Sequence, residues 1–277
     1  MDVRFHRRRL SRALVVAGAG FALCAGLATQ AAALPRAHGH VVHIVKPVLG
    51  VNTNQSSNWF GYNQGSLEQG GAKQFHSIAG DWTVPTVSRH AGHPGASSDW
   101  IGIGGGCVDA NCTVGDNTLI QTGTEQDVSA SGVRSYSAWY ELIPAPSLGI
   151  SMTVRPGDHM HAQISEKVSG SNVWKITLKN VTRNKTFTKT VPYSSTHATA
   201  EWIEETPLEI STNAGFAPLP NMSRISFDHA TTNGASARLK ASEKIQLIDG
   251  NGRVIGTPSA PDAQRDGFAV CAWATSC

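Results

Sequence analysis

The sequence predicts an all-β protein, an antiparallel β-sandwich made of two packed sheets. Short segments of alternating polar and apolar character recur along residues 55–277, with Gly, Pro, Asn and Ser between them. Only one segment, TAEWIEET (residues 199–206), could be read as a helix, and it is too short to stand alone. No linker interrupts these residues, so we expect one domain.

The individual strands follow from local patterns. The segment RSYSAWYEL (residues 134–142) alternates, so its side chains divide between two faces. One face carries Tyr136, Ala138, Tyr140 and Leu142, and the other carries Ser137, Trp139 and Glu141. Further along, VWKITLKNVTRNKTFTKTV (173–191) predicts two strands joined by a polar turn, and KIQLIDGNGRVIGT (244–257) predicts a hairpin with a DGNG turn.

The first 33 residues have the layout of a secretory signal peptide. An arginine-rich start is followed by an apolar stretch of about 16 residues, short for a membrane span, and Ala31 and Ala33 fit an A-x-A cleavage site. Residues 34–54 are interpreted as a short pro-segment or linker, and residues 55–277 as a single β-sandwich domain. We therefore expect a secreted, extracellular monomer without a membrane anchor after signal cleavage.

The charge balance excludes a nucleic-acid partner. The whole chain has a formal charge of +3, but residues 1–33 hold five of its 23 basic and one of its 20 acidic residues. The remaining chain therefore carries 18 basic and 19 acidic residues, a net charge of −1. No basic stripe is left to bind phosphates.

Four cysteines remain after the leader, in two local pairs. Cys107 and Cys112 bracket VDAN, and Cys271 and Cys277 bracket AWATS. In a secreted chain an even number of cysteines indicates disulfides, and local pairing is favoured among the possible connectivities. The spacings do not match the C-x-x-C pattern of zinc sites.

Common catalytic motifs are absent from the sequence. It contains no H-E-x-x-H, G-x-S-x-G, D-T-G or D-S-G motif, and no phosphate-binding or dinucleotide-binding loop. His159 and His161 share a strand face and could form a metal pair, although a solvated strand end after the turn RPGD is the favoured interpretation. No metal or cofactor is expected.

Polar residues within apolar, aromatic-rich strands are the remaining candidates. Gln121 shares a face with Leu119, and Glu201 and Glu205 share a face with Ile203. Three tryptophans lie in similar segments: Trp59, Trp100 and Trp139. Singly, each has an ordinary explanation, because Trp is usually a core residue and Glu or Gln usually faces water.

Taken in order, six motifs closely resemble the glutamic peptidases, or eqolisins. They are NWFG (58–61), DWTVP (81–85), WIGIGG (100–105), LIQTG (119–123), YSAWYE (136–141) and AEWIEE (200–205). The resemblance implies a secreted endopeptidase that works in acid, with a jelly-roll-like two-sheet sandwich and a catalytic pair of one Gln and one Glu. By motif position these are Gln121 and Glu205. The chain departs from the family at Gly104, where fungal members carry Asp.

The resemblance also implies a role for each residue. Glu205 transfers protons, taking one from the attacking water and returning it to the leaving amine. Gln121 positions the water and donates a hydrogen bond to the oxyanion. We expect protein or peptide substrates to contact Trp59, Trp100 and Trp139, together with Glu141.

Two other functions fit an aromatic-rich β-sandwich. One is a lectin-like, carbohydrate-binding protein, which would need no reactive pair. The other is a glycoside hydrolase that uses two of Glu141, Glu201 and Glu205. Glu201 and Glu205 on one extended strand would lie about 13 Å apart at Cα, whereas retaining glycosidases place their carboxyl groups about 5 Å apart.

Overall fold

The computed structural model describes residues 41–42, 55–71, 73–209 and 215–277. The predicted signal peptide lies outside these residues, and only Val41 and Val42 of the predicted 34–54 segment lie within them. Across the described ranges, no helix combines the length and apolar character needed to cross a membrane.

Nearly all of the regular secondary structure in the described chain is β-strand. The strands are β1 (Val41–Val42), β2 (Gln55–Ser56), β3 (Trp59–Gly65), β4 (Ser77–Thr83), β5 (Val87–Ser88), β6 (Gly95–Gly104), β7 (Leu119–Val128), β8 (Arg134–Leu142), β9 (Leu148–Ile150), β10 (His159–Glu166), β11 (Val173–Asn180), β12 (Lys185–Pro192), β13 (Thr199–Glu205), β14 (Leu208–Glu209), β15 (Gly215–Phe216), β16 (Asn221–Met222), β17 (Ile225–Thr232), β18 (Ala235–Ser236), β19 (Lys244–Ile248), β20 (Val254–Pro258) and β21 (Phe268–Ala272). One 3₁₀ turn, Ala241–Glu243, precedes β19. The prediction of an all-β fold is confirmed.

Most strands join one continuous antiparallel sheet. Its order is β12-β11-β10-β4-β17-β21-β20-β19-β3-β13-β6-β7-β8-β9, with β18 beside β17 and β2 parallel to β19. The predicted division into two separate sheets is not confirmed. The sheet is continuous because β19 pairs with both β20 and β3. Its pairing with β20 has a register shift between Leu247 and Ile248.

Strands far apart in this order contact each other through buried tryptophans. The indole N–H of Trp202 in β13 donates to the carbonyl of Ala79 in β4 over 2.8 Å. The indole N–H of Trp82 in β4 donates to the hydroxyl of Thr124 in β7 over 2.9 Å. The continuous sheet therefore brings its two halves face to face, and the main apolar core lies between them.

The predicted strand faces agree with this packing. In β8, Ala138 lies in the main core, with Tyr136, Tyr140 and Leu142 packed against it. Trp139 points the other way, into a second apolar cluster. The segment TAEWIEET forms β13, which is central because it pairs with both β3 and β6.

Both local cysteine pairs lie at disulfide distance. The Cα atoms of Cys107 and Cys112 are 4.7 Å apart, and those of Cys271 and Cys277 are 5.4 Å apart. The first disulfide closes the loop that follows β6, and the second closes the C-terminal end of the chain.

Candidate active site

Five neighbouring strands bring the predicted site residues to one face of the sheet. The order β3-β13-β6-β7-β8 places residues from distant parts of the chain in register. Three successive rows on this face read Trp59–Glu205–Ser98–Glu125–Ser137, Gly61–Ile203–Trp100–Gly123–Trp139 and Asn63–Glu201–Gly102–Gln121–Glu141. Since alternate side chains of a strand share a face, all these residues face the same way. We call this surface the Gln121/Glu205 face.

The Glu205 carboxyl group is buried and held at both oxygens. The indole N–H of Trp100 donates to Oε2 over 2.8 Å, and the amide Nδ2 of Asn58 donates to Oε1 over 3.4 Å. Asn58 is held in turn by the Ser56 hydroxyl, which donates to its Oδ1. Trp100 is fixed by an edge-to-face contact with Trp59, whose ring centroid is 4.9 Å away.

Gln121 is also buried, and its amide is oriented by Glu141. Nε2 of Gln121 donates to Oε2 of Glu141 over 2.7 Å, between residues directly opposite each other in β7 and β8. A carboxylate accepts hydrogen bonds only, so this contact identifies the nitrogen end of the amide. The structure thus places Glu141 beside the predicted catalytic Gln121.

A second apolar cluster lies beside Gln121 and Glu205. Trp59, Trp100 and Trp139 pack there with Leu119, Ile143 and Ile203. The indole N–H of Trp139 donates to the Ser98 hydroxyl over 3.0 Å. All three tryptophan rings are buried in this structure, so their contact with substrate stays a prediction.

Two glycines beside the site are required by close backbone approaches. A Cβ at Gly123 would lie 2.2 Å from the carbonyl oxygen of Asp99, which explains the glycine in the LIQTG motif. Gly104 has φ +97°, and a Cβ there would lie 1.9 Å from the carbonyl oxygen of Thr118. A side chain at this position would therefore need the backbone to move.

The carboxyl groups of AEWIEE lie in three different environments. Glu204 points away from the Gln121/Glu205 face, as strand parity predicts, and lies opposite Asp99 in β6. Burial, and then the charge of Asp99, raises the pKa of Glu204 well above its ordinary value. Glu201 shares the face of Glu205, and burial raises its pKa strongly as well.

Sequence reasoning missed the buried pair Asp99–Glu204. Burial raises the pKa of Asp99 to about 6, and the Thr124 hydroxyl donates to its Oδ2 over 3.4 Å. No local pattern identifies the pair, because its members are in different strands. The sequence does contain a signal for this pair: each of two apolar strands has an acidic residue at an inward-facing position.

The two histidines of β10 both contact one carboxylate. His161 Nδ1 meets Oδ1 of Asp81, and His159 Nε2 lies 3.2 Å from Oδ2. A third imidazole, that of His229 in β17, lies 3.1 Å from Oδ2. The predicted solvated strand end is therefore a partly exposed histidine cluster around a buried carboxylate.

The family assignment rests on the match of residues 57–266 to the model of the peptidase A4 family. The chain belongs to this family. It is a glutamic peptidase, an enzyme that hydrolyses peptide bonds. The carbohydrate-binding interpretation is therefore set aside. No curated protein matches the chain significantly.

Solved structures share the fold of this glutamic peptidase. A scytalido-glutamic peptidase with a peptide-based transition-state analogue is similar with a TM-score of 0.60 and 23% identity, over 78% of this chain and 98% of that one. SCP-B, an eqolisin in complex with the tripeptide Ala-Ile-His, is similar with a TM-score of 0.57 and 22% identity, over the same shares of the two chains.

Proposed function

We propose that this peptidase is a secreted acid endopeptidase that cleaves within protein or peptide chains, with Gln121 and Glu205 as its catalytic pair. The observation that carries the proposal is their common placement. Both side chains lie on one sheet face, and each is held by a buried neighbour, Glu141 for Gln121 and Trp100 for Glu205.

Glu205 is suited to transfer a proton in both directions. Two neutral groups, the indole of Trp100 and the amide of Asn58, donate hydrogen bonds to it. They fix the orientation of the carboxyl group. Glu205 therefore accepts a proton from the attacking water and later gives it to the leaving nitrogen.

Gln121 is suited to stabilise the tetrahedral intermediate. Its Nε2 carries two hydrogens, and Glu141 accepts one of them, which fixes the plane of the amide. In the proposed reaction the same nitrogen donates a hydrogen bond to the oxyanion that forms on the scissile carbonyl. A fixed donor of this kind contributes about 3 kcal/mol to catalysis, and an amide remains a donor at every working pH.

The buried carboxyl groups support a working range in acid. The pKa values of Glu201, Glu204 and Asp99 are all raised, chiefly by burial, so each group is most easily accommodated with its proton bound. The stability that each of these three groups contributes is present in acid and is lost as the pH rises through its folded pKa.

The leader and the cysteines support secretion. Residues 1–33 have the composition of a signal peptide, and two disulfides are typical of extracellular proteins. We propose that residues 34–54 are a pro-segment or linker ahead of a catalytic domain at residues 55–277, which acts as a monomer and requires no cofactor.

Digestion of a denatured protein from about pH 2 to about pH 8 tests the proposal. The wild type is compared with Glu205→Gln, Gln121→Ala and the control Glu201→Gln, with and without EDTA and a serine-protease inhibitor. We expect cleavage in acid only, unaffected by either inhibitor, lost in the first two variants and retained in the control. Cleavage that survives Glu205→Gln in a folded protein would identify another carboxylate as the catalytic one.

A further inference from the structure

Two imidazoles and a carboxylate converge at the end of β13 opposite to Glu205. His76 immediately precedes β4, Glu166 is the last residue of β10, and His197 lies two residues before β13. The fold therefore collects the three side chains from three separate elements. The proposed catalytic pair makes no use of them.

The three side chains present their nitrogen and oxygen atoms to one another. His76 Nδ1 lies 2.7 Å from Oε2 of Glu166, and His197 Nε2 lies 3.2 Å from the same oxygen. All three ligand atoms lie within 4.8 Å of one another. The side chain of Glu166 is fully buried, whereas those of His76 and His197 are 27% and 10% exposed, so solvent reaches the cluster from one side.

The surrounding structure holds these side chains in place. The backbone N–H groups of Gly170 and Asn172 donate to Glu166, one to each oxygen. The ring of His197 packs against the rings of His76 and Trp174 at centroid distances of 4.7 and 5.2 Å.

The backbone at His197 is strained. It adopts φ +59°, in the left-handed region that residues other than glycine seldom occupy. Such strain persists where the surrounding structure requires it and is concentrated at functional sites.

The cluster offers one carboxylate oxygen and two imidazole nitrogens as ligand atoms, which are donor types that zinc sites combine.

We infer that His76, Glu166 and His197 form a binding site for a divalent transition metal of the Zn²⁺ class. Zinc binds imidazole nitrogen and carboxylate oxygen at about 2.0–2.2 Å, which places tetrahedral ligand atoms roughly 3.3 Å apart. The present separations from Oε2 of Glu166, 2.7 and 3.2 Å, reach that value with small side-chain movements. The backbone donors to Glu166 then act as the outer hydrogen bonds that orient a metal ligand.

Two other interpretations of this region fit less well. The hydroxyl of Ser169 lies 3.3 Å from Nδ1 and 3.1 Å from Nε2 of His76, so it is not aligned with either ring nitrogen as a nucleophile would be. Calcium and magnesium prefer sites made entirely of oxygen ligands.

The second histidine cluster provides a matched control. Around Asp81, His161 contacts one carboxylate oxygen, while His159 and His229 contact the other. These imidazoles are also more exposed than those of His76 and His197. A substitution at His159 therefore removes an imidazole beside a carboxylate without touching the proposed site.

Zinc titration of untagged, EDTA-treated protein by calorimetry near pH 7.5 tests the inference, with Co²⁺ absorption as a second readout. We expect one zinc per chain and a higher melting temperature with zinc. Affinity should fall at least tenfold in both His76→Gln and His197→Gln and remain unchanged in His159→Gln. It should also weaken as the pH falls, because protons compete with a metal for imidazole nitrogen.

Either of two results would overturn the inference of a zinc site. The first is that the wild type does not bind zinc, in which case the cluster is a hydrogen-bonded ion pair only. The other is binding that persists in a folded His76→Gln variant, for example through His38, His40 and His43, which all the variants retain. His76 is partly exposed, so its substitution serves if His197→Gln does not fold.

Discussion

Replacing Asp99 by Asn should make stability less dependent on pH. Asp99 and Glu204 lie opposite each other in neighbouring strands, and both are fully buried. Burial raises the pKa of Asp99 from 3.8 to about 6. A carboxyl group whose pKa is higher in the folded state than in the unfolded state binds its proton more tightly in the folded state.

The sign and size of the effect follow from this shift. Below about pH 4 both states are protonated and the native state has its full stability. As the pH rises from about 4 to about 6, the unfolded state releases the proton first, so stability falls. A shift of roughly two pKa units corresponds to about 3 kcal/mol. The raised pKa of Glu204 acts in the same direction.

Urea unfolding of the wild type and Asp99→Asn at a series of pH values measures the difference. Between about pH 4 and about pH 7, the wild type should lose about 3 kcal/mol more unfolding free energy than the variant. Asp262→Asn, at an exposed position, serves as the control and should follow the wild type. Parallel curves for the wild type and Asp99→Asn would refute the reasoning.

Three further predictions concern residues around the site. Glu141→Ala removes the acceptor that orients Gln121, so kcat should fall roughly 100-fold with little change in KM. A rise in KM with kcat unchanged would instead assign Glu141 to substrate binding. Trp100→Phe removes the indole donor that orients Glu205, so kcat/KM in acid should fall roughly tenfold or more. Wild-type kcat/KM in the folded variant would show that this contact does not position Glu205. Gly104→Asp forces a Cβ against the carbonyl oxygen of Thr118 and should destabilise the fold by about 3 kcal/mol or more, measured by thermal unfolding. An unchanged melting temperature would show that the loop adapts.

Strand periodicity was enough to predict which residues share a face. Alternation in β13 separates Glu204 from Glu205, and alternation in β8 separates Trp139 from the main core. These features depend only on neighbours in the chain, because a strand repeats every two residues. The all-β class followed from the same local patterns.

Features that depend on strand register could not be predicted. The contact between Gln121 and Glu141 requires β7 and β8 to pair in one particular alignment, and the pair Asp99–Glu204 requires β6 to lie beside β13. Register is fixed by packing across the whole sheet.

The two-sheet detail was not confirmed for a related reason. β19 pairs with β3 at Lys244 and Ile245 and with β20 at Leu247 and Ile248, and no local pattern in the sequence marks this change of partner. The cluster of His76, Glu166 and His197 was likewise missed, because its members come from three distant segments.

The proposed roles of Glu205 in proton transfer and of Gln121 as its partner can be tested directly by kcat/KM for an internally quenched peptide in acid. Folded wild type is compared with Glu205→Gln, Gln121→Ala and Glu201→Gln. We expect a loss of at least 100-fold in the first two variants and near wild-type activity in the third. Near wild-type activity in Glu205→Gln, or a loss of activity in Glu201→Gln alone, would contradict these roles.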